Sequence, residues 1–209
     1  MPPELILETK SIKKFFGHHR VLEDITFQMG QGQIVGIVGE NGSGKSTLLK
    51  ILAGLLPPTS GELHIEGRVG FCPQDPLLFE TLTVRENFRY FATAYGLDKT
   101  GTMPLWESVK RELLDRFHFY HYENRIVSEL SGGTKQKLNL SLALLHSPDT
   151  VLLDEPYSGF DWETYLNFWQ YAEEQRSKGK GIIVVTHFVY ERAKFDTLFE
   201  LKEGILRCV

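Results

Sequence analysis

The sequence contains the segment Gly39-Glu40-Asn41-Gly42-Ser43-Gly44-Lys45-Ser46, from which the rest of the fold can be predicted. It matches the pattern G-x-x-x-x-G-K-[ST] and lies between an apolar run at residues 34–38 and a helical pattern of leucines that begins at Leu48. Glycines allow backbone N–H groups to converge on phosphate oxygens, and the start of the following helix adds the positive end of its dipole. The stretch therefore predicts a phosphate-binding loop between a strand and a helix.

Two side chains at the end of this loop complete its chemistry. Lys45 is predicted to supply a mobile cation for the β- and γ-phosphate oxygens, and the Ser46 hydroxyl to ligate Mg²⁺. A glycine-rich turn that binds nothing is the alternative, and the agreement of residue types with context disfavours it. The loop thus predicts that the chain binds a nucleoside triphosphate together with Mg²⁺.

Further apolar runs predict the sheet around the loop. Residues 151–153 and 182–185 are continuous and rich in branched side chains, which is typical of parallel strands buried on both faces. Earlier runs at residues 4–9 and 24–29 alternate and predict half-buried antiparallel strands. The predicted fold class is α/β, with a mostly parallel phosphate-loop core and an antiparallel β piece at the N-terminus.

The pattern between about residues 76 and 132 is helical, with apolar residues every three or four positions after Val84 and after Trp106. We therefore predict one domain over residues 1–209, with a helical subdomain inserted in its core. The leucines from Leu138 to Leu144 fit a strand and a helix equally well. A later helix is rich in aromatic residues, which we expect to be buried against the sheet rather than to bind a partner: Trp162, Tyr165, Phe168, Trp169 and Tyr171.

Composition limits what the chain can bind. Lys and Arg number 23 against 27 Asp and Glu, and the net charge of −4 provides no basic field for a nucleic acid backbone, so no nucleic acid is expected as a partner. The apolar runs are far shorter than the roughly 18 residues that indicate a membrane span. The acidic N-terminus argues against a secretory signal, and we expect a cytoplasmic location.

Two adjacent carboxylates, Asp154 and Glu155, end the second buried run. Open parallel sheets bind their ligands at the carboxyl ends of their strands. Asp154 is predicted to hold Mg²⁺ through water, and Glu155 to orient or deprotonate an attacking water. A solvated strand end is the alternative, which the phosphate loop in the same chain disfavours.

The stretch Leu130-Ser131-Gly132-Gly133-Thr134-Lys135-Gln136 opens the leucine-rich segment. Its N–H groups and hydroxyl can bind an anion, although alone the stretch could be a helix cap. With the three motifs in this order, the chain resembles the nucleotide-binding domain of ABC transporters over nearly its whole length. Ser131-Gly132-Gly133 matches the core of that family's signature motif.

Several positions take their interpretation from this resemblance. Phe16 matches the aromatic residue that stacks on adenine, Gln74 the Q-loop glutamine, and His187 the switch histidine at the γ-phosphate. Residues 158–161 are similar to the D-loop. The resemblance also implies that the ambiguous leucines form a helix.

The resemblance implies a full set of site residues. Those expected to bind ATP are Phe16, Gly39, Asn41, Gly42, Ser43, Gly44, Lys45, Ser46 and Thr47, with Ser131, Gly132 and Gly133 completing the site of a second subunit. Mg²⁺ is expected at Ser46, Gln74 and Asp154, and hydrolysis is expected to involve Lys45, Gln74, Glu155 and His187.

Some features depart from the family pattern. Thr134 replaces the usual Gln of the signature, and Phe16 replaces the commoner Tyr while keeping an aromatic face. Only 29 residues separate Lys45 from Gln74, so we expect a trimmed hairpin around residues 62–68. The 22 residues after His187 are expected to leave no room for a further regulatory domain.

The resemblance implies an ATP-binding and hydrolysing subunit that powers transport by a separately encoded membrane-spanning ABC transporter partner. It would act at the cytoplasmic face of the membrane, held there by that partner, as a head-to-tail homodimer or heterodimer of ATPase subunits. The transported substrate and the direction of transport belong to the partner.

Two other functions use a phosphate loop of this kind. A soluble ABC-type ATPase that acts on nucleic acid or ribosomes is the alternative. Ser131 lies only 86 positions after Lys45, which disfavours it because the long coiled-coil insertion of the DNA-repair branch does not fit there. A P-loop kinase or small GTPase has no need of the signature or of His187.

Overall fold

The computed structural model describes residues 4–97, 105–187 and 189–209. Nine β-strands lie within these ranges: Leu5–Phe16 (β1), His19–Gly30 (β2), Ile34–Val38 (β3), Ser60–Ile65 (β4), Val69–Cys72 (β5), Thr150–Asp154 (β6), Gly181–Val185 (β7), Thr197–Lys202 (β8) and Ile205–Cys208 (β9). The same ranges contain five α-helices: Lys45–Leu52 (α1), Val84–Ala94 (α2), Leu105–Arg116 (α3), Gly132–Leu144 (α4) and Trp162–Ser177 (α5). The strands form a mixed sheet in the order β4-β1-β2-β9-β8-β3-β7-β6-β5.

The parallel part of the sheet confirms the predicted core. β3 lies parallel to β8 and β7, and β6 lies parallel to β7 and β5. Every residue of β3, β6 and β7 is buried, which explains why these runs are continuous rather than alternating. Ile37 and Asp154 both pair with Val185, so the carboxyl ends of the three strands meet at one edge of the sheet.

The antiparallel strands at the N-terminus are confirmed, but they are longer than predicted. β1 and β2 pair from Leu5 with Gly30 to Phe16 with His19. The register of this pair shifts at several places, one of them between Thr9 and Ile12. Such irregularities interrupt the alternation of side chains from which the strand ends were predicted.

The predicted hairpin around residues 62–68 is wrong. β4 pairs with β1, whereas β5 pairs with β6, and the two strands stand at opposite ends of the strand order. The chain between them therefore crosses from the antiparallel to the parallel part of the sheet. Both pairing partners are distant in sequence, so the local turn pattern did not reveal this crossing.

Helices occupy much of the stretch between β5 and β6. α2 begins with a capping box, in which Thr83 and Glu86 accept hydrogen bonds from each other's backbone N–H groups. α4 confirms that the ambiguous leucines are helical, and it is buried on most of its circumference, which explains why neither period dominates the sequence. The limits of 76 and 132 for a helical subdomain stay a prediction, and residues 98–104 lie outside the described chain.

Two hydrophobic cores contain alternate residues of the central strands. One includes Leu138 of α4 and Phe168 of α5, and the other includes Leu48 of α1. Burial of the aromatic residues of α5 is confirmed for Phe168 and Trp169 but is wrong for Trp162, which is 72% exposed. Trp162 shares a helical stripe with Tyr165, on which it stacks, and with buried Trp169, but it is the first residue of α5 and lies at the end of that stripe, where the core no longer covers it.

Candidate active site

The phosphate loop joins β3 to α1 in a conformation that requires glycine. Gly42 and Gly44 have φ values of 80° and 104°, and Gly44 is the N-cap of α1. At Gly39 a Cβ atom would lie 2.3 Å from the carbonyl oxygen of Leu201, so the loop packs closely on β8. Gly42 has open space around it, which leaves the outer face of the loop accessible.

The Lys45 ammonium is folded back over the loop. Its Nζ donates to the carbonyl oxygens of Gly39, at 2.7 Å, and Glu40, at 2.8 Å, and the residue is only 6% exposed. Burial lowers the pKa of Lys45, and the negative charges of Glu155 and Asp154 oppose this shift. A buried ammonium held by neutral carbonyls is a ready partner for an anion.

Asp154 is the last residue of β6 and is 3% exposed. Burial raises the pKa of its carboxyl, although a hydrogen bond from Ser46 acts in the opposite direction. This bond joins the first turn of α1 to the end of β6. Hard oxygen ligands and a buried carboxylate that lacks full charge compensation fit a Mg²⁺ ion.

Glu155, the next residue, is held by the neighbouring strand β7 and by a residue that follows it. Its N–H donates to the carbonyl oxygen of Val185, and its Oε1 lies 2.5 Å from Nε2 of His187, which follows β7. The φ of Glu155 is 48°, a left-handed conformation that is uncommon for residues other than glycine. The structure thus brings Glu155 and His187 into direct contact beside Asp154.

Gln74 lies two residues beyond the end of β5 and is exposed. Cys72 of β5 pairs with Leu153 of β6, so Gln74 follows a strand that ends beside Asp154. The structure therefore places Gln74 at the same edge of the sheet as the acid pair.

The signature segment lies at the start of α4. Ser131 is the N-cap, and its hydroxyl accepts a hydrogen bond from the N–H of Thr134. Gly133 packs so closely on the turn at residues 158–161 that a Cβ there would lie 2.3 Å from the carbonyl oxygen of Gly159. Further along the segment, Lys135 pairs with Glu80 at 2.7 Å.

Phe16 ends β1 and is 51% exposed, with the Nζ of Lys14 5.0 Å from its ring centre. It pairs with His19 across the turn from β1 to β2. A cavity of about 430 Å³ extends from this turn to the phosphate loop, and its lining includes His19, Arg20, Val21, Asn41, Gly42 and Ser43. The Phe16 ring thus lies on a hairpin that borders the loop.

Two buried amides on α4 were missed by the sequence analysis. Gln136 and Asn139 are 4% and 5% exposed, and they bond to Glu155 and to the segment before Gln74. The available signal was a pair of amides three residues apart in a run otherwise dominated by leucine. A buried amide in such a run needs a hydrogen-bond partner within the protein, and the segment that supplies this partner is a candidate part of the site.

Comparison with known proteins decides the family. A family model described as ABC transporter matches residues 22–158, which is more than half of the chain. The chain belongs to the ABC transporter family. It is an ATP-binding cassette, the ATPase domain of these transporters.

Individual relatives agree with this assignment. The chain is 32% identical to ABC transporter G family member 20 of Dictyostelium discoideum, over 96% of this chain but only 29% of that protein. It is 31% identical to an ABC transporter ATP-binding protein of Methanocaldococcus jannaschii, over 98% of this chain and 76% of the relative.

Among the described residues, no helix has both the length and the apolar character needed to cross a membrane.

A solved structure supports the fold. The chain is 26% identical, with a TM-score of 0.85, to an ATP-binding cassette described as a dimeric post-hydrolysis state bound to ADP and Pi. The match covers 97% of this chain and 98% of that one.

Gly133→Ala should destabilise the fold by roughly 1–3 kcal/mol, because the added methyl group overlaps the Gly159 carbonyl oxygen. Gly132→Ala is the matched control, since a Cβ at Gly132 meets no atom within 4 Å. The free energy of unfolding in urea measures both changes. Equal stability of the two variants would contradict the close packing of the signature on the Gly159 turn.

Asp154→Asn tests the cost of the buried carboxylate. Because the pKa of Asp154 is raised in the folded chain, folding stability falls as the pH rises through its titration. Without nucleotide or divalent cation, the variant should melt about 2–4 °C above wild type near neutral pH. The difference should shrink in acid, where the wild-type carboxyl is protonated. Thermal unfolding across this range measures it, and a difference that does not change with pH would contradict the assignment.

Proposed function

We propose that this cassette binds and hydrolyses ATP to power transport through a separately encoded membrane-spanning partner. One observation carries the proposal. Ser46 of α1 acts on Asp154 of β6, and His187 after β7 contacts Glu155, so side chains from three elements converge beside Lys45. All of these side chains would then face one phosphate chain. Lys45 would be the cation, Ser46 and Asp154 the metal ligands, Glu155 the base and His187 the contact to the γ-phosphate.

ATP would lie with its phosphates on the loop and its base toward the β1 to β2 hairpin. The loop N–H groups from Gly39 to Thr47 would bind phosphate oxygens, and Lys45 would leave its carbonyl partners for the β- and γ-phosphates. The exposed ring of Phe16 offers a stacking surface for adenine. The cavity lined by His19 and Asn41 borders the same hairpin and the loop.

Mg²⁺ would be held by Ser46, Gln74 and Asp154, the last through water. The bound ion would neutralise charge on the phosphates. Asp154 fits this role because its carboxylate is buried and only partly compensated by Ser46. Gln74 is exposed on its loop and free to approach the metal from the neighbouring strand.

Glu155 would orient the attacking water and accept its proton, and His187 would contact the γ-phosphate. These two side chains contact each other at the strand end, so the proposed base and the proposed phosphate sensor lie side by side.

A dimer would complete the site. The related cassette mentioned above is described as dimeric with ADP and Pi. In a head-to-tail pair, the Ser131-Gly132-Gly133 segment of one subunit would cap the ATP on the phosphate loop of the other, with the α4 N-terminus directed at phosphate. The second subunit would be a copy of this chain or a homologous ATPase.

The membrane partner would dock on the segment from Pro76 to Thr83, at the cytoplasmic face. Leu77 is 66% exposed, and Phe79 packs its ring 4.3 Å from that of Tyr90 on the surface of α2. Asn87 of α2 bonds both the N–H and the carbonyl of Phe79, which fixes this apolar surface to the helix. Such a surface beside Gln74 would pass motion between the ATP site and a cytoplasmic helix of the partner.

Lys45→Ala should reduce ATP turnover at least about a hundredfold and weaken ATP binding, because the loop loses its phosphate-facing cation. Lys10→Ala is the control, since Lys10 is an exposed lysine of β1 that pairs with Glu8. Phosphate release and calorimetric titration with ATP measure both effects. Wild-type turnover in the Lys45 variant would overturn the assignment of the loop.

Glu155→Gln should bind Mg-ATP without hydrolysing it and accumulate as a dimer, since the shape of the site is kept and the base is lost. Adding Ser131→Arg should restore the monomer by placing bulk and charge at the interface. Light scattering with Mg-ATP, with ADP and without nucleotide measures the mass. A monomer in all three conditions, both alone and in the complex extracted with its membrane partner, would contradict the head-to-tail dimer.

A further inference from the structure

α4 carries a buried polar pair inside an apolar surrounding. Gln136 and Asn139 are one turn apart, and their neighbours Leu138 and Leu140 are fully buried. Burying an amide is costly unless its hydrogen bonds are made within the protein. The partners of these two amides therefore identify what the pair holds.

Asn139 holds the end of β5. Its Nδ2 donates to the carbonyl oxygen of Pro73, at 2.8 Å, and to Sγ of Cys72, at 3.2 Å. Burial raises the pKa of the Cys72 thiol, so the sulfur is neutral and acts as a weak acceptor. Pro73 directly precedes Gln74, so one buried side chain anchors the base of the Gln74 loop.

Gln136 reaches the other side of the site. Its Nε2 donates to the carbonyl oxygen of Glu155 at 3.4 Å, and its Oε1 accepts a hydrogen bond from Asn139 at 3.3 Å. The left-handed backbone of Glu155 is thereby held on both sides, since its N–H already donates to Val185. The two amides form a continuous link from Pro73 to Glu155.

We propose that Gln136 and Asn139 are positioning residues for ATP hydrolysis, which set the Gln74 loop and the Glu155 backbone at a fixed distance from each other. This inference rests on the proposed function. The same helix begins with Ser131-Gly132-Gly133, so a shift of α4 toward a nucleotide on the partner subunit moves the supports of Gln74 and Glu155 together. One helix thus couples the second subunit's nucleotide to the hydrolytic groups of its own chain.

Two substitutions replace an amide by an apolar side chain of similar length and remove its hydrogen bonds. Asn139→Leu removes the bonds to Pro73 and Cys72, and Gln136→Met removes the bond to the Glu155 carbonyl and a longer one to Cys72. The matched control is Ser141→Ala on the same helix, because Ser141 is fully buried and its hydroxyl donates to the carbonyl oxygen of Lys137, within α4. The control loses a buried hydrogen bond without touching either side of the link.

The experiment measures kcat, KM and the Kd for Mg-ATP of the full chain and the three variants, together with their melting temperatures. Both link variants should lower kcat about tenfold to a hundredfold, because misplaced reacting groups slow the chemical step, while KM and Kd stay within about twofold of wild type. Ser141→Ala should leave all three constants within about twofold, whatever its melting temperature.

Each contrary result has a separate meaning. If wild type hydrolyses ATP and both link variants match the kcat of Ser141→Ala, the inference is overturned and the proposed function stands. If kcat and ATP affinity fall together in a link variant, in step with its melting temperature, the pair only packs the core and the inference is again overturned. If wild type binds ATP but hydrolyses none, the proposed function fails and the inference with it. Should Asn139→Leu not fold, Gln136→Met decides by the same criteria.

Discussion

The constraint on which the site depends is the burial of two opposite charges, Lys45 and Asp154, at the carboxyl ends of parallel strands. Burial lowers the pKa of Lys45 and raises the pKa of Asp154. The attraction between the two charges, the loop carbonyls at Lys45 and Ser46 at Asp154 together compensate for burial only in part. Taking charges out of water costs free energy that neutral partners offset incompletely. In the proposed function, the phosphates and their cation would supply the missing compensation, so two charges that are costly to bury would attract the ligand.

The parallel sheet makes this arrangement possible because its strand register aligns the ends of the strands that carry these side chains. β7 lies between β3 and β6, and Val185 pairs with residues of both neighbours, so the phosphate loop, the acid pair and His187 begin at nearly the same level. Among these residues, Glu155 is held at both its backbone and its side chain. Its left-handed backbone is held by Val185 and Gln136, and its carboxylate by His187.

α4 joins functions that lie on different subunits in the proposed dimer. Its first turn presents the signature and packs on the turn at residues 158–161. Lys137 of α4 pairs at 3.1 Å with Asp161, the last residue of that turn. Its second turn carries the amides that reach Glu155 and Pro73. The remainder packs in the core with Phe168 of α5, which makes the helix a rigid support.

The sequence by itself determined the local chemistry: the phosphate loop, the acid pair at a strand end, the buried strands and the class of fold. These depend on residues within a few positions of one another, whose spacing and type specify backbone shape directly. Three features follow only from the tertiary structure. β4 and β5 pair with different strands, Trp162 is exposed, and Asn139 donates a hydrogen bond to Cys72, 67 residues away. Such contacts form between segments that are distant in sequence, so the local hydrophobic periodicity does not predict them.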